Sequence, residues 1–364
     1  MHESANILGV ISGSSLDGLD FALCQFSKNR EFLDFNLIAK GVRHFTPQLK
    51  NALSEAPKLS GWRLAKLDAD FSQFCANEIS SFEKEKNCRI DFISSHGHTV
   101  FHEPSLGFTT QIGNGGLMAG LTGITTISDF RINDIALGGQ GAPIAPISEK
   151  LLFTGYKYYL NLGGIANISC HGQHEIGSFD SCPCNQLLNF YAGKLGQDYD
   201  KDGDLARQGE VRQELLLHWR QNEYFDLLPP KSLDNTWVSK NYLSLFDDSI
   251  SIHDHLATSV EFITDQIVQD LRRHYLTSHE NQLPEDTMFI TGGGGHNLFL
   301  IEKLRTKCSQ LGINIHVPPP EIIDYKEAIL MSLMGYLRLT KQPNTIKTVT
   351  GASDVTIGGG VYIG

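Results

Sequence analysis

One structural device occurs twice in this chain of 364 residues, about half the chain length apart. The first copy pairs the apolar runs Asn6–Ile11 and Phe21–Phe26 across a turn rich in Gly, Ser and Asp, which predicts a β-hairpin. The second copy pairs Tyr158–Leu162 with Ile165–Ser169 across Gly163-Gly164. Two hairpins of this kind, each followed by more strand and helix patterns, predict two similar α/β domains.

Helix and strand patterns alternate after each hairpin. Apolar residues recur at helical spacing over residues 45–87, and Phe92–Ser95 read as a buried strand. In the second half, residues 255–276 repeat the helical pattern and Met288–Thr291 the strand. Each half is therefore expected to build a hairpin followed by α/β crossovers.

The length of the chain also favours two domains, because a single hydrophobic core rarely grows beyond about 250–300 residues. We place the first domain at residues 1–130 together with about 340–364, and the second at residues 131–339. The glycine-rich stretch from Thr350 onward is expected to pack back on the first domain.

Composition and charge exclude several classes of function. The formal net charge is −11 and the acidic residues are spread along the chain, which disfavours a nucleic-acid partner, since such binding needs clustered Lys and Arg. The N-terminus has no basic segment before its apolar run, and no apolar run approaches the roughly 20 residues that cross a bilayer, so we expect no signal peptide and no membrane span. Seven scattered cysteines make a poor disulfide framework and predict a reducing cytoplasm.

The turn of the first hairpin is a candidate phosphate loop. Its glycines and hydroxyls, from Gly9 to Asp20, leave backbone N–H groups free to approach phosphate oxygens. Asp17 and Asp20 are suited to holding Mg²⁺ through water or to contacting a substrate hydroxyl. The turn lies inside a hairpin and matches neither the Walker A nor the Rossmann pattern, and an ordinary turn is the alternative.

Polar segments also follow predicted strands, where α/β sheets bind ligands. They are Ser95–Thr99, Ser128–Arg131 and Gly138–Pro143, which are candidates for holding sugar hydroxyls or a carboxylate. His96, His98 and His102 could also suggest zinc, but no Cys or acidic residue nearby has metal-ligand spacing.

Asp180 lies in a segment, Ser178–Asn185, that we interpret as a fixed turn before a helix. A carboxylate there is suited to accept a proton from water or from an attacking hydroxyl, and capping the following helix is the alternative. Cys182 and Cys184 are separated by one residue, which is not thioredoxin or zinc spacing, so packing thiols are the better interpretation.

Two segments near the C-terminus complete the candidates. Gly292–Gly295 lie between a buried strand and a helix, and their missing side chains permit close approach to adenosine or its phosphates. A later helix is predicted from about Tyr325 to Leu339, with Asp324 as its cap and Glu327 at the capping-box position. The alternative for Glu327 is a hydrogen bond to a substrate hydroxyl.

In this order the segments resemble the anhydro-N-acetylmuramic acid kinase family, from Gly9 to about Gly358. The motifs that carry the resemblance are Gly9–Asp20, Ser95–Thr99, Gln111–Gly113, Asp129–Arg131, Gly138–Pro143, Asn161–Asn167, Asp200–Gly203, Gly292–Asn297 and Thr350–Ser353.

The resemblance implies two actin-like ATPase (ribonuclease H-like) domains with an active-site cleft between them. It further implies that ATP phosphorylates O6 of 1,6-anhydro-N-acetylmuramic acid while water opens the anhydro ring, giving N-acetylmuramic acid 6-phosphate for cell-wall recycling. A homodimer is compatible with the resemblance.

The resemblance assigns Asp180 as the catalytic base and His98, Thr99, Arg131 and Glu327 to the sugar, with Arg131 suited to the lactyl carboxylate. It also implies that Mg²⁺ accompanies the nucleotide, and Asp17 is the candidate contact to the ion through water. The residues assigned to ATP are Gly13, Ser14, Ser15, Leu16, Asp17, Gly18, Leu19, Asp20, Gly163, Gly164, Gly292, Gly293, Gly294, Gly295 and Asn297.

Two departures from the family pattern keep other functions open. Cys182 and Cys184 replace two glycines of the family's Asp-Thr-Gly-Pro-Gly-Asn, which would cost about 1–3 kcal/mol of strain if either position needs a positive φ. His98 replaces the family's usual Gln. The alternatives are a kinase for another anhydro sugar, such as levoglucosan, and a non-catalytic sugar- or nucleotide-binding relative.

Overall fold

The structure is a computed structural model that describes residues 5–13, 16–28, 33–172, 176–229, 231–275 and 286–364. The chain divides into two compact units. The first unit comprises residues 1–154 and 325–364, and the second comprises residues 155–324.

Strands and helices alternate along the chain. The strands are β1 Asn6–Ser12, β2 Gly18–Lys28, β3 Leu33–His44, β4 Phe92–Ser95, β5 His98–Glu103, β6 Phe108–Ile112, β7 Thr126–Ser128, β8 Tyr158–Leu162, β9 Ile165–His171, β10 Ile176–Pro183, β11 Asp286–Thr291, β12 Ile313–His316 and β13 Gly360–Tyr362. The helices are α1 Pro47–Ser54, α2 Gly61–Lys86, α3 Gly115–Thr122, α4 Ile132–Ala136, α5 Pro146–Leu151, α6 Asn185–Lys194, α7 Asp204–Arg207, α8 Gln213–Arg220, α9 Asn235–Asn241, α10 Ile252–His274, α11 Leu298–Ser309, α12 Pro320–Leu339 and α13 Lys347–Thr350.

The main sheet of the first unit has the strand order β3-β2-β1-β4-β7-β13. Strands β1, β2 and β3 pair antiparallel, whereas β4 is parallel to β1 and β7 is parallel to β4. β13 adds an antiparallel edge strand next to β7. If the strands of this sheet are numbered one to five in chain order, with β7 as the fifth, their order is 3-2-1-4-5. This order with this mixture of directions is the ribonuclease H-like arrangement.

The sheet of the second unit repeats this arrangement as β10-β9-β8-β11-β12. Strands β8, β9 and β10 pair antiparallel, and β11 is parallel to both β8 and β12. The predicted fold class, two actin-like domains built on repeated hairpins, is therefore confirmed by strand order.

Helix α12 packs directly on the first-unit sheet, which requires a glycine at position 9. A Cβ atom on Gly9 would lie 1.9 Å from the carbonyl oxygen of Ala328. The hydroxyl of Ser332 donates to the carbonyl oxygens of Ile7 and Ala22 at 3.1 and 2.8 Å. This close contact explains why most of α12 belongs to the first unit.

The two divisions of the chain differ from the predicted positions, 130/131 and about 340. They fall at 154/155 and 324/325, because α4, α5 and most of α12 belong to the first unit. The buried carboxylate of Asp134 accepts hydrogen bonds from the N–H of Gly141 and the hydroxyl of Thr350, both at 2.8 Å. These contacts tie residues just after position 131 to the C-terminal segment of the same unit.

Candidate active site

A pocket of about 400 Å³ in the first unit brings together four residues predicted to contact the sugar. They are His98 and Thr99 from β5, Arg131 from the segment after β7, and Glu327 from α12. Its lining also includes Gly13, Ala142 and Pro143. We call this the first-unit pocket. Glu327 lies 196 positions after Arg131 and 229 after His98, and the sheet with its overlying helix brings these residues together.

The guanidinium of Arg131 is held on two sides. Its Nε donates to Nε2 of His96 at 2.9 Å, and its Nη1 donates to the carbonyl oxygen of Gly141 at 2.8 Å. Glu327 lines the same pocket, and burial raises the pKa of its carboxyl despite the opposing charges of Lys326 and Arg131. The pocket thus presents a fixed cation and a carboxyl group that keeps its proton to higher pH than usual.

His98 and Thr99 occupy adjacent positions of β5 but differ in exposure. His98 is buried, shares a hydrogen bond of 3.0 Å between its Nδ1 and the hydroxyl of Ser12, and has a pKa lowered by burial. Thr99 is exposed, and its hydroxyl accepts a long hydrogen bond, 3.4 Å, from the amide of Gln111. The hydroxyl of Thr99 is therefore the more accessible of the two groups.

The candidate phosphate loop is shorter than predicted. Gly18, Leu19 and Asp20 already belong to β2, and the side chain of Leu19 is 1% exposed in the apolar core, so it is closed to a ligand. Leu16 has a positive φ of 56° and its N–H donates to the carbonyl oxygen of Gly13. Asp17 is exposed at the end of the turn. Ser14 and Ser15 lie outside the described residues.

Asp180 lies on β10 and not on a loop before a helix. Its Oδ1 accepts from the amide of Asn167 at 3.0 Å, and its Oδ2 accepts from the N–H of Leu233 at 2.9 Å. Helix α6 begins after Cys184 without any side-chain cap, so the helix-cap alternative for Asp180 is wrong. The strand pairing shifts register between Asp180 and Cys182. Each carboxylate oxygen thus has one fixed donor, which sets the direction of the group.

A cavity of about 540 Å³ in the second unit is lined in part by residues that were predicted to bind ATP. Gly293, Gly294 and Asn297 line it, together with Asn185 and His296. We call this the second-unit cavity. Its volume lies in the range of small-molecule sites, about 300–1,000 Å³.

The four glycines of positions 292–295 have different reasons to lack a side chain. Gly292 has a φ of 79°, and a Cβ there would lie 2.6 Å from the carbonyl carbon of Leu162. A Cβ on Gly294 would lie 2.7 Å from the Cβ of Leu162. Gly295 is buried against Ile323. The turn is thus packed against the end of β8, and only Gly293 and Gly294 line the cavity.

Asn297, Gly163 and Gly164, which were also predicted to bind the nucleotide, make hydrogen bonds that fix the starts of two helices. Oδ1 of Asn297 accepts from the N–H of Leu300 at 2.9 Å and caps α11. The carbonyl oxygens of Gly163 and Gly164 accept from the N–H groups of Asn185 and Cys184 at the start of α6. Within the described residues, no acceptor binds the N–H of Gly163 or Gly164.

The predicted start of the last long helix is wrong. α12 begins at Pro320, where proline suits the first turn of a helix, so Asp324 and Glu327 lie inside it and form no capping box. Oδ1 of Asp324 instead lies 2.5 Å from Nε2 of His296 at the edge of the second-unit cavity.

Similarity to known proteins is extensive. A family model described as anhydro-N-acetylmuramic acid kinase matches residues 5–364. Proteins of that name from Synechococcus elongatus and a Synechocystis species are 34% and 33% identical, over 98% of this chain and 99% and 98% of their own. One from Vibrio parahaemolyticus is 31% identical over 98% of this chain and 97% of its own. The chain belongs to the anhydro-N-acetylmuramic acid kinase family.

Membership in this family makes the chain a sugar kinase that uses ATP on a small molecule. Among solved structures, the ADPNP-bound activator of the 2-hydroxyisocaproyl-CoA dehydratase from Clostridium difficile is 11% identical, over 94% of this chain and 99% of its own, with a TM-score of 0.44. The fold assignment rests on strand order and not on that likeness. No helix in the described part of the chain is long and apolar enough to cross a membrane.

The two cysteines that depart from the family's loop cause no positive-φ strain. Cys184 has a φ of −132°, and Cys182 is a strand residue that is not among the described residues with positive φ. Both side chains are buried in the second-unit core, and burial raises the pKa of both thiols, that of Cys184 to about 12. They are packing thiols, as predicted, and remain protonated at neutral pH.

The sequence did not predict the residues that hold Arg131 and Asp180 in place. The segment Ser95–Thr99 predicts a ligand contact for His96 and its spacing suggests zinc, but neither indicates a hydrogen bond to Arg131. No group of three His, Cys, Asp or Glu residues suited to a metal occurs in the described ranges. Asn167 ends one of the family motifs, which was its only signal. Nothing in the pattern around Leu233 indicates a donor to Asp180, because a backbone N–H carries no signature of its own.

Proposed function

We propose that the chain phosphorylates O6 of 1,6-anhydro-N-acetylmuramic acid with ATP while water opens the anhydro ring, giving N-acetylmuramic acid 6-phosphate. The proposal includes a role in cell-wall recycling in the cytoplasm. The observation that carries it is the convergence of His98, Thr99, Arg131 and Glu327 in the first-unit pocket.

The lining of this pocket suits an acidic sugar. Arg131 supplies a fixed cation for a carboxylate, and Thr99 and Glu327 supply oxygens for hydroxyl groups. Apolar groups, including Ile11, Ile144 and Leu330, form much of the remaining wall and suit the carbon face of a bicyclic sugar.

In the proposed reaction, Asp180 is the general base. Its carboxylate accepts a proton from water as the water oxygen bonds to the anomeric carbon and the bond from that carbon to O6 breaks. O6 then bonds to the γ-phosphorus of ATP as the bond to ADP breaks. Asn167 and the N–H of Leu233 fix the direction of this carboxylate.

The nucleotide is proposed to use the second-unit cavity and the turn at Gly163 and Gly164. Gly293, Gly294 and Asn297 line that cavity. No acceptor among the described residues binds the N–H groups of Gly163 and Gly164, which suits them to phosphate oxygens. Asp17 is an exposed carboxylate, the type of ligand that Mg²⁺ prefers, and would hold the ion through water. When bound, Mg²⁺ would neutralise charge on the phosphates.

The proposal is tested by coupling ADP release to the oxidation of NADH, with and without the anhydro sugar. The wild-type chain is expected to release ADP only with sugar and to yield a 6-phosphorylated, ring-opened product by mass spectrometry. Asp180→Asn is expected to lower kcat by about 10²- to 10⁴-fold. Asp226→Asn, at an exposed carboxylate, is the matched control and should keep full activity.

The base assignment fails if Asp180→Asn turns over normally. The reaction itself fails if the wild-type chain releases no ADP with the sugar. Because His98 replaces the family's usual Gln and bonds to Ser12, levoglucosan is the second candidate acceptor and belongs in the same assay. Association into a homodimer is a separate proposal, tested by sedimentation.

A further inference from the structure

Both ring nitrogens of the buried His96 are already in use. Arginine can only donate, so Nε2 of His96 accepts from Nε of Arg131 at 2.9 Å. The ring proton therefore lies on Nδ1 and donates to the carbonyl oxygen of Gly97 at 3.1 Å. No ring nitrogen is left for a ligand, although His96 lines the first-unit pocket. Any effect of this residue on a ligand must act through Arg131.

The hydrogen bonds of Arg131 leave one nitrogen without a protein partner. Nε is bound to His96 and Nη1 to the carbonyl oxygen of Gly141. No acceptor among the described residues binds Nη2. Since Arg131 lines the first-unit pocket, this nitrogen is available there for an acceptor on a ligand.

The second support of Arg131 is itself fixed. The N–H of Gly141 donates to Oδ2 of Asp134, and Oδ1 of the same carboxylate accepts from the hydroxyl of Thr350. Asp134 is fully buried, so the segment that carries the Gly141 carbonyl is tied to the core of the first unit. The guanidinium plane is thus set by two independent anchors.

We propose that His96 is a positioning residue that, together with Gly141, orients the Arg131 guanidinium for a carboxylate on the sugar. This inference deepens the proposed function and rests on it, because the lactyl group supplies that carboxylate. A planar guanidinium binds a carboxylate well only in the correct plane, so its orientation contributes to specificity.

The chemistry of His96 suits this role. Burial, with the charge of Arg131 next in size, lowers its pKa from 6.5 to about 3, so the ring is neutral at physiological pH. A neutral ring can accept from Arg131, whereas a protonated ring would have no acceptor and would repel the guanidinium. The imidazole thus holds a cation in place without neutralising its charge.

The test compares two sugars that differ only in the carboxylate-bearing group. 1,6-Anhydro-N-acetylmuramic acid carries the lactyl ether, and 1,6-anhydro-N-acetylglucosamine lacks it. Full-length wild type, His96→Leu and His96→Gln are assayed by ADP release with each sugar, and sugar binding is measured by calorimetry without ATP. Leucine removes the acceptor, and glutamine restores one at a similar reach.

For the lactyl sugar, His96→Leu is expected to lower kcat/KM by about 10- to 100-fold, mainly through KM. For the sugar without the lactyl group, the loss is expected to stay below about 3-fold, and His96→Gln should recover most of the activity on the lactyl sugar. In an Arg131→Ala background, His96→Leu should add little, because the two residues act as one unit.

An equal loss with both sugars would assign His96 a merely structural role and overturn the inference, as would unchanged kinetics in a folded His96→Leu variant. If the wild-type chain binds the lactyl sugar but phosphorylates neither sugar, the proposed function fails. The binding data then still decide the role of His96, by whether the leucine variant loses affinity only for the lactyl sugar. A wild-type chain that binds neither sugar would refute both proposals.

Discussion

A buried ion pair lies in the second unit beneath the strand that carries Asp180, and its rupture has a predictable cost. Nζ of Lys231 lies 3.7 Å from Oδ1 of Asp270, and the two side chains are only 2% and 1% exposed. Asp270 has other donors, the hydroxyl of Ser181 at 2.6 Å and the amide of Gln266 at 3.2 Å. No acceptor among the described residues is within hydrogen-bond distance of Nζ of Lys231, which faces aromatic rings, with that of Tyr224 at 4.8 Å.

This asymmetry predicts that Asp270→Asn costs more stability than Lys231→Met. Burial already lowers the pKa of Lys231 and raises that of Asp270. Without the carboxylate, the ammonium would be buried alone, at a cost of about 3–5 kcal/mol. Lys231 can avoid this cost by releasing its proton. Since deprotonating a lysine of ordinary pKa at pH 7 takes about 5 kcal/mol, that value is the upper limit of the loss. We expect about 1–3 kcal/mol for Lys231→Met, since Asp270 keeps two donors.

The assay is urea unfolding followed by tryptophan fluorescence. Of the three tryptophans, Trp62 is 78% exposed and reports little, whereas Trp219 is 2% exposed and reports on the second unit. The double variant should be more stable than the sum of the single losses predicts, by about 1–3 kcal/mol. The loss of unfolding free energy in Asp270→Asn should become smaller as pH rises from 7 to 10. The reason is that deprotonating Lys231 costs less as the pH approaches the ordinary pKa of lysine in the unfolded chain. Equal single losses that simply add would refute this reasoning.

Two further predictions concern the glycine turn at positions 292–295 and His96 in the first-unit pocket. Gly292→Ala should lower the free energy of unfolding by about 1–3 kcal/mol, because φ is 79° and the new Cβ would meet Leu162. Gly164→Ala is the control in the same urea titration. It should be nearly neutral, because the nearest atom to its new Cβ would be 3.9 Å away. Because the pKa of His96 falls from 6.5 to about 3 on folding, the unfolded chain binds more protons between these values and stability declines as pH falls through this window. From pH 6.5 to 5 the loss is about 2 kcal/mol, and His96→Gln should remove that part of the decline; identical pH profiles would contradict it.

Much of the fold could be predicted because the relevant signals are local. The runs Asn6–Ile11 and Tyr158–Leu162 became β1 and β8 at nearly the predicted bounds, and the helix predicted at 255–276 became α10, Ile252–His274. Helix and strand periods act through nearest neighbours in the chain and are visible in the letters. The predicted start of α12 was wrong because it relied on the capping-box spacing of Asp324 and Glu327, whereas the helix begins at Pro320.

The candidate site was predicted as a set of residue types without their contacts. Four residues were predicted from motifs to contact the sugar, and the structure places them in one pocket, but the motifs do not indicate which groups hold Arg131. Leu19 was named with the phosphate loop although it faces the core, since a motif does not record which side of a strand each member occupies.

The sequence by itself determined the two hairpin-led sheets and membership in a kinase family, because both depend on short-range pattern and on motifs in fixed order. Only the tertiary structure decided the chemistry around each group. The N–H of Leu233, which donates to the carboxylate of Asp180, is 53 residues away in sequence. The hydroxyl of Thr350, which donates to the carboxylate of Asp134, is 216 residues away. Such contacts depend on how elements pack in three dimensions, and the backbone groups and buried side chains that make them have no pattern that a linear sequence displays.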